Sequence, residues 1–193
     1  YIYDISSGKE PTKIEKEITY NVSVNEFGEG TGTVKINGVV YNNPVQVKKD
    51  TPVEVEIVPA DDSEIVAVNI DGVDHPADKA KFTKTMSSIT ADTMIEVEYA
   101  KKFHNITFNN VDLEFGKIKV EGKEITPKEN TISVQHGKEV SFTIEPNYKY
   151  HVESVKIIDG QSTTDVKEEN GKYEIPNVKN DYSVVVAFAI NTY

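Results

Sequence analysis

Four histidines, His75, His104, His136 and His151, are the side chains best suited to proton transfer or to a transition-metal ion. No two of them stand at the short spacing that sets paired imidazoles on one helix face, and none adjoins a nucleophile motif. His136 falls in a turn before a strand, where an earlier stretch of the same pattern has Lys49, so it is expected at the surface. Two acidic runs, Asp61-Asp62-Ser63-Glu64 and Asp71-Gly72-Val73-Asp74, offer oxygen ligands of the kind calcium takes. Neither follows the twelve-residue loop with its terminal glutamate. The Asp-Gly pairs are read instead as turn formers, because both residues tolerate left-handed backbone angles. Gly28-x-Gly30-x-Gly32 is spaced unlike a dinucleotide fingerprint and is read as a hairpin turn between strands. Cysteine is absent, which excludes disulfides, thiol catalysis and cysteine-based zinc sites. These residues describe a non-enzymatic chain, with no catalytic set, no metal and no cofactor expected.

Exposed aromatic rings hold sugars by stacking over a large contact area, and Tyr41, Tyr148, Tyr150 and Tyr182 are the candidates for such binding. Tyr148 and Tyr150 alternate, so one belongs to a core and the other to the surface. Tyr41 and Tyr182 are expected in loops. Packing or scattered surface tyrosine is the simpler account of these rings. An isopeptide bond would join a buried lysine to an asparagine near a carboxylate. Lys35 and Lys119 hold equivalent strand positions, but alternation with apolar neighbours turns both outward.

The formal charge is −11 and every basic residue is lysine. Without arginine the chain lacks the planar fork that grips phosphate and guanine edges, and its acidity repels nucleic-acid backbones and anionic lipid. No nucleic-acid partner is expected. No apolar run approaches the roughly 20 residues of a membrane helix, so no membrane insertion is expected within this chain. The first residues, Tyr1-Ile2-Tyr3-Asp4, carry neither an initiator methionine nor a signal peptide. They suggest a fragment or processed form whose export signal or wall anchor lies outside it.

The elements that would position these side chains come in two copies. Gly32-Thr-Val-Lys-Ile-Asn-Gly38 matches Gly116-Lys-Ile-Lys-Val-Glu-Gly122, both reading Gly-x-β-Lys-β-x-Gly with β either Val or Ile. The stretch from Val47 to Pro59 matches that from Val134 to Pro146. Ile65 to Gly72 matches Val152 to Gly160, and Ile89 to Ala100 matches Val178 to Ala189. The offset drifts slowly upward along the chain, as short loop insertions between fixed elements would produce. Each block reads as a strand. Val53, Val55 and Ile57 alternate with Glu54 and Glu56, and Ile95, Val97 and Tyr99 with Glu96 and Glu98. That period of two sets one face in a core and the carboxylates in water. Val184, Val185 and Val186 run together, so their strand is expected to be covered on both faces. Residues 76–81 have room for one helical turn. Residues 1–17 suit a linker, or the closing strand of a preceding module. The expected fold class is mainly β, with β-grasp-like α+β and minimal helix as the variant. It comprises two tandem modules, 18–101 and 102–193, joined by the short connector from Ala100 to Phe103.

The block order resembles the divergent B-repeats of internalin-type bacterial surface proteins. The residues that carry the resemblance are Val120-Glu121-Gly122, His136-Gly137, Ile144-Glu145-Pro146, Tyr150, Asp159-Gly160 and the run from Asp181 to Phe188. It covers about residues 18–101 and 103–189. It implies compact β-rich units, similar to a β-grasp, in tandem on exported proteins, acting as spacers or adhesive modules. The chain is accordingly expected to be a monomeric, extracellular or cell-wall-associated spacer. The alternative is a module binding a host glycan or protein through its tyrosines or a free strand edge.

Overall fold

The computed structural model describes residues 2–4, 12–14, 16–109 and 113–192. Among them all helical and sheet structure is strand, in two compact units, Tyr1–Lys101 and Lys102–Tyr193.

The first unit opens with β1 (Ile2–Asp4) and β2 (Thr12–Ile14), an antiparallel pair with Ile2 opposite Ile14. Nine strands follow: β3 (Thr19–Gly28), β4 (Gly32–Ile36), β5 (Val39–Val40), β6 (Val45–Lys48), β7 (Val53–Pro59), β8 (Ser63–Ile70), β9 (Val73–His75), β10 (Phe82–Met86) and β11 (Thr93–Lys101). They form a five-stranded sheet in the order β6-β3-β11-β8-β9 and a four-stranded sheet in the order β10-β7-β4-β5. One core takes residues from both sheets. Val34, Ile36, Val53, Val55 and Ile57 come from the smaller sheet, and Val22, Ile65, Val68, Ile95, Val97 and Tyr99 from the larger. The unit is therefore a sandwich whose strands alternate as the sequence predicts, with each buried aliphatic side chain contributing roughly 1.5–3 kcal/mol of transfer free energy.

The second unit has β12 (Phe103–Phe108), β13 (Gly116–Val120), β14 (Lys123–Glu124), β15 (Thr131–Gln135), β16 (Val140–Pro146), β17 (Tyr150–Asp159), β18 (Ser162–Asp165), β19 (Tyr173–Ile175) and β20 (Tyr182–Ile190). Its sheets run β15-β12-β20-β17-β18 and β14-β13-β16-β19. Strand for strand this is the order of the first unit. Its core is more aromatic: Phe142 stacks on Tyr173 at 5.5 Å and meets Phe108 edge-on at 5.3 Å.

The mainly-β, two-module expectation describes this architecture; the β-grasp variant does not. A β-grasp lays a helix across its sheet, and here a second sheet covers that face. Residues 76–81 make no helical turn. The Asp78 carboxylate accepts the Ala80 N–H at 2.7 Å, and a bridge between Asp78 and Lys81 closes a tight turn instead. Val184 and Val186 are buried, but Val185 between them is only partly covered, so β20 has one core face rather than two.

Candidate functional site

In each unit the first and last strands of the sandwich lie side by side at the centre of the larger sheet, and they run parallel. Every other pairing is antiparallel among the described residues. In the first unit the register runs from Thr93 opposite Val22 to Tyr99 opposite Gly28. In the second it covers Ile106 opposite Tyr182 to Phe108 opposite Val184, extended by the Asn109 N–H to the Val184 carbonyl at 2.9 Å. One carboxylate stands at the foot of each ladder. Asp92 accepts the Asn21 N–H at 2.8 Å, and Asp181 accepts the Asn105 N–H at 2.8 Å. Both aspartates immediately precede the last strand and hold a first-strand donor lying below the first ladder pair. The repeated block carries this signal in the sequence, since aligning Ile89 to Ala100 with Val178 to Ala189 sets Asp92 on Asp181.

The Gly28-x-Gly30-x-Gly32 run is not a hairpin. It carries the chain from β3 in one sheet to β4 in the other, and it wraps the buried ring of Tyr99. A Cβ on Gly28, whose φ is +98°, would lie 2.1 Å from the Tyr99 carbonyl oxygen. One on Gly30 would lie 2.6 Å from the Ala100 oxygen, and one on Gly32 2.6 Å from the Tyr99 ring. Close backbone approach is what demands glycine here. The Tyr99 hydroxyl donates to Glu26 at 3.1 Å. Burial, with the Glu26 charge adding to it, pushes the phenol well above its ordinary value. The second unit repeats the contact with different chemistry, since a Cβ on Gly116 would lie 2.5 Å from the Phe188 ring. Beside it, the buried Ser63 hydroxyl of the first unit accepts the Thr31 N–H at 3.1 Å and donates to Asp62 at 2.8 Å. The second unit replaces that polar pair with Phe115 stacked on Tyr150 at 4.5 Å.

The four candidate tyrosines do not come together. Tyr148 is 86% exposed, with the Lys149 ammonium 5.8 Å from its ring centre. Tyr150 is half-buried, one face taken by Phe115. Tyr182 opens β20 rather than lying in a loop, and packs on the core because its strand begins one residue after Asp181. The register sets Tyr150 opposite Ile190, so Tyr182 sits about 26 Å away along the same strand. Tyr41 belongs to the first unit and packs on its core.

His136 is not the exposed turn residue expected. It is half-buried, and its Nδ1 lies 3.0 Å from His104 Nε2, while the other nitrogen of His104 is 3.7 Å from Asp181. The turn folds back onto β12, bringing together two residues 32 apart in sequence, a separation no local spacing rule detects. His151 pairs with Asn191 at 2.9 Å, and His75 lies against Phe82. No three His, Asp or Glu side chains converge among the described residues. The acidic runs serve as hydrogen-bond acceptors. Asp71 takes the Met94 N–H at 2.7 Å, Asp74 the Asn69 amide at 2.9 Å, and Glu64 the Lys79 ammonium at 3.0 Å. Lys35 and Lys119 point to the solvent face, toward Glu56 at 3.0 Å and Glu145 at 2.8 Å. Lys81, at 2.6 Å, and then Lys35 hold the Glu56 carboxyl below the usual glutamate value.

No family model matches the chain, and no curated protein does. Among solved structures it is similar to the major pilin protein (T-13) from Streptococcus pyogenes, with TM-score 0.34, 10% identity, and coverage of 92% of this chain and 98% of the pilin. It is also similar to the Bacillus anthracis TIE protein, with TM-score 0.34 and 11% identity, over 93% of this chain and 48% of that one. The chain thus spans about half the length of the second structure.

Proposed function

We propose that this chain is a non-enzymatic, load-bearing spacer of an extracellular bacterial surface protein, built of two tandem sandwiches related to internalin-type repeats. The observation that supports this reading is the parallel pairing of first and last strands in each unit. Parallel terminal strands bring the chain in at one pole of the sheet and let it out at the other. The ten residues of β3 carry it roughly 30 Å along that axis. An antiparallel terminal pair would return the chain to its starting pole and add no reach. Tension on the two ends then shears the parallel ladder, loading its evenly spaced hydrogen bonds together instead of peeling them singly. Little slack separates the units, since β11 ends at Lys101 and β12 begins at Phe103.

Pulling the full chain by its two termini in a single-molecule force experiment tests the reading. Two abrupt ruptures are expected, each lengthening the tether by roughly 270–290 Å. The second unit, with three ladder pairs against seven, yields at the lower force. Smooth extension without force peaks would overturn the load-bearing role.

A further inference from the structure

The larger sheet of each unit ends at an edge strand beside its first strand, β6 in one unit and β15 in the other. The registers make these edges equivalent: Asn21 faces Gln46, and Asn105 faces Ser133. The flanking bonds fix which backbone groups look outward. The Lys49 N–H donates to Ile18, the His136 N–H to Lys102 and the Phe108 N–H to Asn130. Alternation then turns the backbone of positions 44, 46 and 48 away from β3, and that of 131, 133 and 135 away from β12. In the first unit those positions are Pro44, Gln46 and Lys48. Proline has no N–H to offer, and Lys48 brings a charge paired with Glu17. Both are devices that protect an edge from further pairing. In the second unit they are Thr131, Ser133 and Gln135, all with free N–H groups and none charged. Strand β15, Thr-Ile-Ser-Val-Gln, has high β-propensity, no proline and no charge, and among the described residues it pairs with β12 alone. A groove of about 480 Å³ runs beside it, floored by Ile125, Val134 and Val140 and lined near opposite ends of the strand by Glu129 and Lys138.

We propose that the free edge of β15 is a self-association site, where β15 pairs antiparallel with the same strand of a second copy about a two-fold axis between their Ser133 residues. Ser133 then lies opposite the partner's Ser133, and Thr131 opposite the partner's Gln135. The Ser133 pair exchanges both of its bonds and the Gln135 N–H meets the partner's Thr131 carbonyl, while the Gln135 carbonyl, which already accepts the Lys138 N–H at 3.1 Å, is shared with the partner's Thr131 N–H. Beyond the strand ends lie Glu129, held by Lys123 at 3.0 Å, and Lys138, so opposite charges and not like ones approach each other across the axis. Ile132 lies beside the partner's Val134 over the apolar groove. An edge this short gives a weak contact in dilute solution, strengthened where many copies stand on one surface. The site is independent of the load-bearing reading, since β15 is no part of either parallel ladder.

Because the chain has no cysteine, Ser133→Cys introduces a single thiol. In a hydrogen-bonded antiparallel pair the two Cα atoms stand about 5.5 Å apart, within disulfide reach. The full chain carrying Ser133→Cys, treated with oxidised glutathione, should form covalent dimer at least tenfold faster than the chain carrying Gln46→Cys, the equivalent position on the protected edge. Wild-type protein should sediment as a reversible dimer at millimolar concentration. Ser133→Lys, which opposes two charges across the axis, should restore the monomer without altering circular dichroism or melting temperature. Equal cross-linking rates at the two positions, or wild-type protein that stays monomeric at millimolar concentration, would overturn the proposal.

Discussion

Removing Asp92 isolates what the foot of the parallel ladder contributes. Its carboxylate accepts the Asn21 N–H at 2.8 Å, one residue before Thr93, where the ladder begins. The residues on both sides of the bond are exposed, so in Asp92→Ala water replaces the lost acceptor. The cost then falls at the low end of the range for a charged acceptor, about 1.5 kcal/mol. Asp181→Ala cuts the equivalent 2.8 Å bond in the second unit at a similar cost. A terminal bond is already broken when the ladder gives way, so nearly all of this loss falls on the unfolding rate. That is a rise of roughly tenfold. Denaturant jumps on the full chain, followed by far-ultraviolet circular dichroism, should resolve two unfolding phases, one for each unit. Asp92→Ala should accelerate one phase and Asp181→Ala the other. Asp92→Asn keeps an acceptor oxygen and should recover most of the wild-type rate. If both alanine variants accelerate the same phase, or both change their phases by less than about twofold, the carboxylates do not anchor the ladders.

Gly32→Ala sets a methyl group 2.6 Å from the ring of Tyr99, which is 2% exposed and has nowhere to move. The expected cost is about 1–3 kcal/mol of overpacking. Gly38→Ala meets nothing within 4 Å and carries only the strain of its φ of +77°, about 1 kcal/mol. Thermal melting should rank them in that order, and equal losses would show that the Tyr99 contact imposes no constraint. The Glu56 carboxyl is held below its ordinary value of 4.5 by Lys81 and Lys35. A depressed carboxylate stabilises the fold above the unfolded-state value and loses that contribution as pH falls through the folded-state value. Melting temperature should therefore drop on acidification below 4.5, and Glu56→Gln should flatten the drop; an unchanged acid slope in the variant would remove this ion-pair network from the account.

The fold was legible where local pattern decides it. Val53-Glu54-Val55-Glu56-Ile57 can bury only one face, and the structure buries that face. Turn positions were legible for the same reason, with Asn37-Gly38 and Asp71-Gly72 both at positive φ as a tight two-residue hairpin requires. What could not be read was which strand neighbours which. The same strands, with the same alternation, satisfy a sheet under a helix or a sheet under a second sheet; the choice rests on contacts between residues 70 or more positions apart, such as Asn21 with Asp92. The glycine run misled for a related reason. A turn and a close approach to a distant ring both demand glycine, and only the position of Tyr99 separates the two causes. His104 and His136 met for the same nonlocal reason, through the antiparallel register of β12 with β15.

The two units keep one strand order but differ in the parallel ladder and at the edge strand beside it. The first has the longer parallel ladder and an edge closed by Pro44 and Lys48. The second has three ladder pairs and an open, uncharged edge. Neither difference serves to satisfy a buried polar group, since no buried side-chain polar atom lacks a partner among the described residues. A tandem in which both copies carry tension, the first yielding last, while the second also meets a neighbouring chain accounts for both. It also requires that exchanging Thr131, Ser133 and Gln135 for their counterparts Pro44, Gln46 and Lys48 abolish self-association while leaving the order of mechanical rupture unchanged.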